Sequence, residues 1–142
     1  TNHAGAFCNG IDLNSIECAS DPRQEAWKSI NAIDDACLEL LSATEHVVVA
    51  CICGNAGAGG AMLPLGADVV VAMKGLVFNP HYLTMGLFGS EYWTYTLPRR
   101  VGEKTARKLT GACLPVSSDD ALRMGMVDIV FEGRRTGDVL RQ

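Results

Sequence analysis

The sequence predicts an α/β domain with right-handed crossovers, and three observations predict it. First, two runs of β-branched and small apolar residues, Val47 to Ile52 and Asp68 to Met73 (DVVVAM), have the pattern of strands buried on both faces. Second, four glycines, Gly54, Gly57, Gly59 and Gly60, fall within seven positions after the first run. Small or apolar residues continue from there to Asp68. This order is a buried strand, a glycine-rich turn and a helix whose free N–H groups point into the turn, a terminus that suits an oxyanion or a phosphate. Third, Pro22 to Ser42 holds the three-and-four spacing of an amphipathic helix.

Taken in order, Ala6 to Leu13 (AFCNGIDL) reads as a loop around the Asn9-Gly10 turn signal. Asn14 to Ala19 begins a short helix. Asp21 as N-cap and Pro22 at the first position start the long helix. Its apolar stripe is Trp27, Ile30, Ile33, Ala36, Cys37, Leu40 and Leu41. Arg23, Gln24, Lys28, Asp34, Asp35 and Glu39 are mostly its solvated side, with a charge role in catalysis for Asp34-Asp35 as the lesser alternative. The central strand runs over Thr44 to Cys53, and the next helix over Ala56 to Gly66, kinked or shortened by Pro64. Strands follow at Asp68 to Met73 and Leu76 to Phe78. Asn79 to Leu97 (NPHYLTMGLFGSEYWTYTL) concentrates the aromatic residues around one acid, Glu91, as a pocket lining would. Pro98, Arg99 and Arg100 precede a helix over Glu103 to Thr110. Ser117 to Met124 is a capped helix stopped by Gly125. Met126 to Phe131 is the last strand, and Glu132 to Gln142 reads as a loose charged tail.

The chain of 142 residues is long enough for one domain, 1–142, with a real core. With 48% hydrophobic residues it falls in the globular class. A net charge of −4 argues against nucleic acid or an anionic membrane as partner. No apolar run reaches the roughly 18 residues of a membrane span, and no signal peptide is read at the N-terminus. Six cysteines, Cys8, Cys18, Cys37, Cys51, Cys53 and Cys113, show no CxxC or CxxxH spacing. No metal site is expected, and the thiols are read as reduced in a cytoplasmic protein. Cys51 and Cys53 are expected on opposite faces of their strand.

FCNGIDL, then GNAGAGGAML with AD, FNPHY with MG, LPRRVG, LTG and ALRMGMVD follow one another in an order that resembles the crotonase (enoyl-CoA hydratase/isomerase) superfamily. Within it, GNAGAGGAML and NPHYLTMGLFGSEYWTYTLPRRVG are most similar to the crotonase-type C-terminal domain of the HypX/HoxX hydrogenase-maturation proteins. The resemblance implies a crotonase-like (ClpP/crotonase) fold of ββα-type repeats. The chain is expected to be truncated at both ends, lacking a lead-in strand and the closing helices.

It also implies an enzyme acting on a CoA thioester: formyl-CoA decarbonylated to carbon monoxide and CoA for nickel–iron hydrogenase maturation. No cofactor is implied beyond coenzyme A as substrate carrier. Implied partners are an upstream formyl-transfer domain and the hydrogenase maturation machinery. A homo-oligomer stays open, because crotonases commonly assemble through later helices. The family's oxyanion hole falls on the backbone N–H groups of Ile11 and Gly59. Enoyl-CoA hydratases hold two glutamates where this chain has Met62 and Tyr82. Neither serves as a carboxylate base, so hydration is not expected. Glu91 then becomes the candidate acid/base and Tyr82 a hydrogen-bond donor, with Met62, His81 and Trp93 assigned to the substrate pocket. Arg99 and Arg100 are candidates for a CoA phosphate. Alternatives are another acyl-CoA hydratase, isomerase, hydrolase or dehalogenase, and a CoA-binding module without turnover. A dinucleotide-binding domain is disfavoured by the missing G-x-G-x-x-G frame.

Overall fold

The glycine-rich stretch turns out to be crowded chiefly by the chain itself. In the computed structural model, which describes residues 5–133, strand β1 (Ala6–Cys8) lies parallel to β3 (Asn55–Gly57). A Cβ on Gly54 would sit 2.6 Å from the Ala6 carbonyl carbon and the Phe7 nitrogen. A Cβ on Gly60 would overlap the Cys8 carbonyl oxygen. These two glycines let β1 in. The loop expected over Ala6 to Leu13 is therefore a strand, followed by helix α1 (Leu13–Glu17), which Asp12 caps through the Asn14 amide at 3.0 Å.

Two sheets result. β1, β3, β5 (Val77–Asn79) and β6 (Val116–Ser117) form one, parallel except for the antiparallel β5–β6 pair. β2 (Val49–Ile52), β4 (Val69–Met73) and β7 (Ile129–Phe131) form the other, parallel throughout. The α/β expectation holds. Asp68 fixes the entrance of the second sheet by accepting from the Val48 amide at 2.8 Å.

The helix expected over Ala56 to Gly66 is split. Helix α3 (Gly59–Met62) hands over to a 3-10 turn, Leu63–Gly66, with Pro64 near its start, where a missing N–H costs nothing. Met62, Leu65, Ile52, Val70, Phe78, Leu97, Met126 and Val127 fill the core between and beneath the sheets.

Helix α2 (Pro22–Ser42) has the predicted bounds, and Asp21 caps it by accepting from Gln24 at 3.1 Å. Its stripe is less buried than the spacing implied. Only Cys37 is buried, while Trp27 is 69% exposed. Helix α4 (Trp93–Val101) falls where the sequence analysis places only the end of the aromatic stretch and Pro98 to Arg100. Proline there removes one hydrogen bond, but Thr96 and Leu97 are buried and tertiary packing outweighs the local cost. Helices α5 (Glu103–Ala112) and α6 (Ser118–Met124) lie where predicted, the latter capped by Ser117 and stopped by left-handed Gly125.

Contrary to the expected opposite faces, Cys51 of β2 and Cys53 just beyond its end share a side, with their sulfurs 3.7 Å apart, because side chains two apart in extended backbone point the same way. Burial and the contact with Cys53 push the Cys51 thiol up to about 11. No helix among the described residues is long and apolar enough to cross a membrane. The tail beyond residue 133 lies outside the described residues.

Candidate active site

Two glycine-bearing loops and the aromatic stretch close around one cavity of about 330 Å³. Asn9, Gly10, Ile11 and Leu13 form one wall, and Ala58 and Gly59 the floor at the start of α3. His81, Tyr82 and the segment from Met85 through Glu91 contribute the rest, with Ile30 of α2 at the side. The walls are mostly apolar, with a few polar groups, the composition of a small-molecule site.

Gly10 and Gly59 hold the first two walls together. A Cβ on Gly10 would lie 3.2 Å from the Gly59 nitrogen. Gly10 itself has φ +87°, a left-handed conformation that favours glycine. Ala58 is forced to φ 47° and ψ −122° just before α3. Among the described residues, the amides of Ile11 and Gly59 enter no hydrogen bond within the fold.

Glu91 is the buried acid of this cavity, only 5% exposed. Its Oε2 accepts from the Tyr82 hydroxyl at 2.6 Å and from the Ser90 amide at 3.0 Å. Its Oε1 rests against Gly59, where any Cβ would overlap it. One carboxylate oxygen is anchored, and the other is turned to the start of α3. Glu91 and Tyr92 are both left-handed, at φ 49° and 50°, which costs non-glycine residues of order 1–2 kcal/mol each. The Glu91 amide donates to Asp34 Oδ1 of α2 at 2.9 Å. Neither Arg99 nor Arg100 pairs with Glu91.

Tyr82 is 5% exposed. Burial, and then its hydrogen bond to Glu91 and that carboxylate's charge, hold the phenol far above its ordinary range. It therefore stays protonated and acts as a donor. His81 borders the cavity, with Nδ1 against the Asn79 carbonyl oxygen at 2.8 Å and a ring carbon 3.2 Å from a Cβ position on Gly57.

The remaining sequence-predicted site residues lie elsewhere. Met62 is fully buried in the core under α3, behind the cavity floor rather than on its wall. Trp93 stands behind the wall. Its indole N–H donates to the Phe88 carbonyl at 3.0 Å, and the two rings are 5.2 Å apart, so it steadies Phe88, which does face the cavity. Arg100 spends its guanidinium internally on the carbonyls of Leu65 (3.0 Å) and Ala67 (2.6 Å) and on Asp128 (2.9 Å). Arg99 stacks over Tyr95 at 4.2 Å. The sequence places Asp34 mostly on the solvated side of α2, with a charge role only as the lesser alternative; the structure turns it to the Glu91 amide. The signal was present: Ile30, Asp34 and Cys37 are spaced four and three apart, on one face.

Residues 1–136 match the family model for enoyl-CoA hydratase/isomerase. The chain is 47% identical to the hydrogenase maturation factor HoxX of Bradyrhizobium diazoefficiens, covering 93% of this chain and 24% of HoxX. It superposes on the crystal structure of HypX from Aquifex aeolicus in complex with tetrahydrofolic acid with a TM-score of 0.86 at 48% identity. That match covers 90% of this chain and 23% of HypX. It is 27% identical to the 1,2-epoxyphenylacetyl-CoA isomerase of Escherichia coli over 100% of this chain and 55% of that protein. The chain thus spans about a quarter of the HoxX and HypX chains. With a crotonase fold and a family match over nearly its whole length, the chain belongs to the enoyl-CoA hydratase/isomerase (crotonase) family.

Proposed function

We propose that this domain removes carbon monoxide from formyl-CoA, leaving CoA, in the service of nickel–iron hydrogenase maturation. The observation that carries the reading is the position of Glu91: a buried carboxylate with one oxygen fixed by Tyr82 and Ser90 and the other against Gly59, in a small cavity. The similarity to HoxX and HypX supports the biological setting. The tetrahydrofolic acid bound to HypX of Aquifex aeolicus fits a formyl-transfer part elsewhere in such proteins.

In this reading the thioester oxygen lies between the amides of Ile11 and Gly59, which are free to donate. Each such donor is worth about 3 kcal/mol in rate when charge develops on the oxygen. Glu91 Oε1 takes the formyl proton. The carbon–sulfur bond breaks with its electrons going to sulfur, carbon monoxide leaves, and the thiolate recovers the proton from Glu91. Formyl-CoA thus becomes carbon monoxide and CoA with nothing left over. Tyr82 supports the carboxylate from behind, and Met85, Leu87 and Phe88 give the cavity an apolar wall beside it.

A panel of acyl-CoA thioesters offered to the full protein containing this domain tests the reading. Carbon monoxide appearing in step with CoA from formyl-CoA alone supports it. Turnover of enoyl- or aroyl-CoA substrates without carbon monoxide replaces it with another crotonase reaction. CoA binding with no turnover of any thioester replaces it with a binding module.

A further inference from the structure

We infer that Asp34, on helix α2, is a positioning residue for Glu91. The inference rests on the reading of Glu91 as the proton acceptor and extends it to a residue 57 positions away in the chain. Glu91 and Tyr92 form a consecutive left-handed pair, at φ 49° and 50°, without an asparagine or glycine to ease the conformation. Something must hold them there, since each alone relaxes readily to φ below zero.

On the main-chain side, Asp34 Oδ1 accepts from the Glu91 amide at 2.9 Å. On the other side of the same residue, Tyr82 and the Ser90 amide fix Oε2. Glu91 is thereby held at both its backbone and its side chain, and Oε1 is left against Gly59. A carboxylate accepting from a half-buried amide is a charge-assisted bond, stronger than a neutral one. Tilting this backbone would swing Oε1 away from the cavity floor. A displacement of about 1 Å at a reacting group costs on the order of a hundredfold in rate.

Asp34 touches no part of the cavity. Its effect on turnover passes through Glu91, so it should appear in kcat and not in KM. Asn offers the same acceptor oxygen at the same reach, so Asp34→Asn should rescue what Asp34→Ala loses.

The experiment compares wild type, Asp34→Ala, Asp34→Leu and Asp34→Asn in the full protein. It measures carbon monoxide release from formyl-CoA and hydrogen exchange at the Glu91 amide. Asp34→Leu fills the same space without an acceptor and stands in if the alanine variant fails to fold. The expected result is a fall in kcat of about tenfold or more for Ala and Leu, with KM held within about twofold. Exchange at the Glu91 amide should accelerate in both, while Asp34→Asn stays within about threefold of wild type in kcat. Wild-type kcat in Asp34→Ala, or Asp34→Asn as slow as Asp34→Ala, overturns the inference. If wild type itself releases no carbon monoxide, the proposed reaction falls, and exchange alone decides. Unchanged protection of the Glu91 amide in Ala and Leu then overturns the positioning role, and its loss with retention in Asn upholds it.

Discussion

The Tyr82 hydroxyl donates to Glu91 Oε2 across 2.6 Å inside a cavity where both side chains are only 5% exposed. This contact joins the end of the first sheet to the aromatic stretch. It gives Tyr82 two measurable properties. The phenol is held protonated well past its ordinary range of about 10, first by burial and then by the carboxylate. In the unfolded chain it ionises near that ordinary value. Stability from this group is therefore complete below about pH 10 and is lost as pH rises above it, by about 1.4 kcal/mol per pH unit. Denaturant titrations from pH 9 to 11 should show this loss in wild type and a flatter profile in Tyr82→Phe. In the proposed reaction Tyr82→Phe should also lower kcat about tenfold, by leaving Glu91 Oε2 with the Ser90 amide alone.

Gly59 and Gly60 are neighbours with separable roles. A Cβ at 59 meets Glu91 Oε1, the end of a side chain, and lies 3.2 Å from Gly10 Cα. A Cβ at 60 meets the Cys8 carbonyl oxygen, which is part of the β1 backbone. Gly59→Ala should therefore displace the carboxylate and cost on the order of a hundredfold in kcat, with a stability loss of about 1–2 kcal/mol. Gly60→Ala should separate β1 from α3 and destabilise by about 3 kcal/mol or more. Urea unfolding alongside turnover distinguishes them.

Arg100 and Arg99 should divide in the same way. Arg100 closes three hydrogen bonds to Leu65, Ala67 and Asp128, tying α4 to the turn beneath α3 and to the entrance of β7. Arg100→Ala leaves two carbonyls and a carboxylate without it and should destabilise by about 3 kcal/mol. Arg99→Ala removes an exposed stacking contact on Tyr95 and should cost less than about 1 kcal/mol. If CoA affinity falls in the Arg99 variant without loss of stability, that guanidinium touches the ligand.

Cys37 lies at the inner side of α2, and its thiol is pushed up to about 12 by burial, then by the charges of Glu91 and Asp34. Cys18 is exposed. Iodoacetamide at pH 8 should modify Cys18 readily and leave Cys37 intact in the folded protein. Mass mapping of the alkylated peptides checks this, and modification of Cys37 at a rate matching Cys18 would mean that α2 opens away from the site.

Much of this was legible in the sequence, and the failures have identifiable physical causes. Helix α2 announced both its ends through Asp21-Pro22 and its spacing, and β4 through an unbroken apolar run. The aromatic stretch singles out Glu91 as its one acid, and the resemblance to the crotonase family singles out Tyr82. Four glycines in seven positions suit close approach by a ligand, whereas Gly54 and Gly60 make room for β1 and, of the four, Gly59 borders the cavity. A requirement for close approach is visible in a sequence, but the identity of the approaching atoms is not. Helix α4 is hidden because its first half lies in the aromatic stretch, which reads as a pocket lining, while Thr96 and Leu97 are buried in the core. The left-handed pair at 91 and 92 carries no residue preference that could reveal it. Asp34 is hard to see because a charged residue on an amphipathic helix is ordinarily solvated, and its partner is 57 residues further on.

The central claim is that Glu91 takes the proton when the thioester breaks down. Single-turnover release of carbon monoxide from formyl-CoA by the full protein, wild type against Glu91→Gln, tests it most directly. Glutamine keeps the shape and can still accept from Tyr82, but it cannot take a proton. The account predicts a fall of about a thousandfold or more in the chemical step, with formyl-CoA still bound. Equal rates in the two proteins would contradict it.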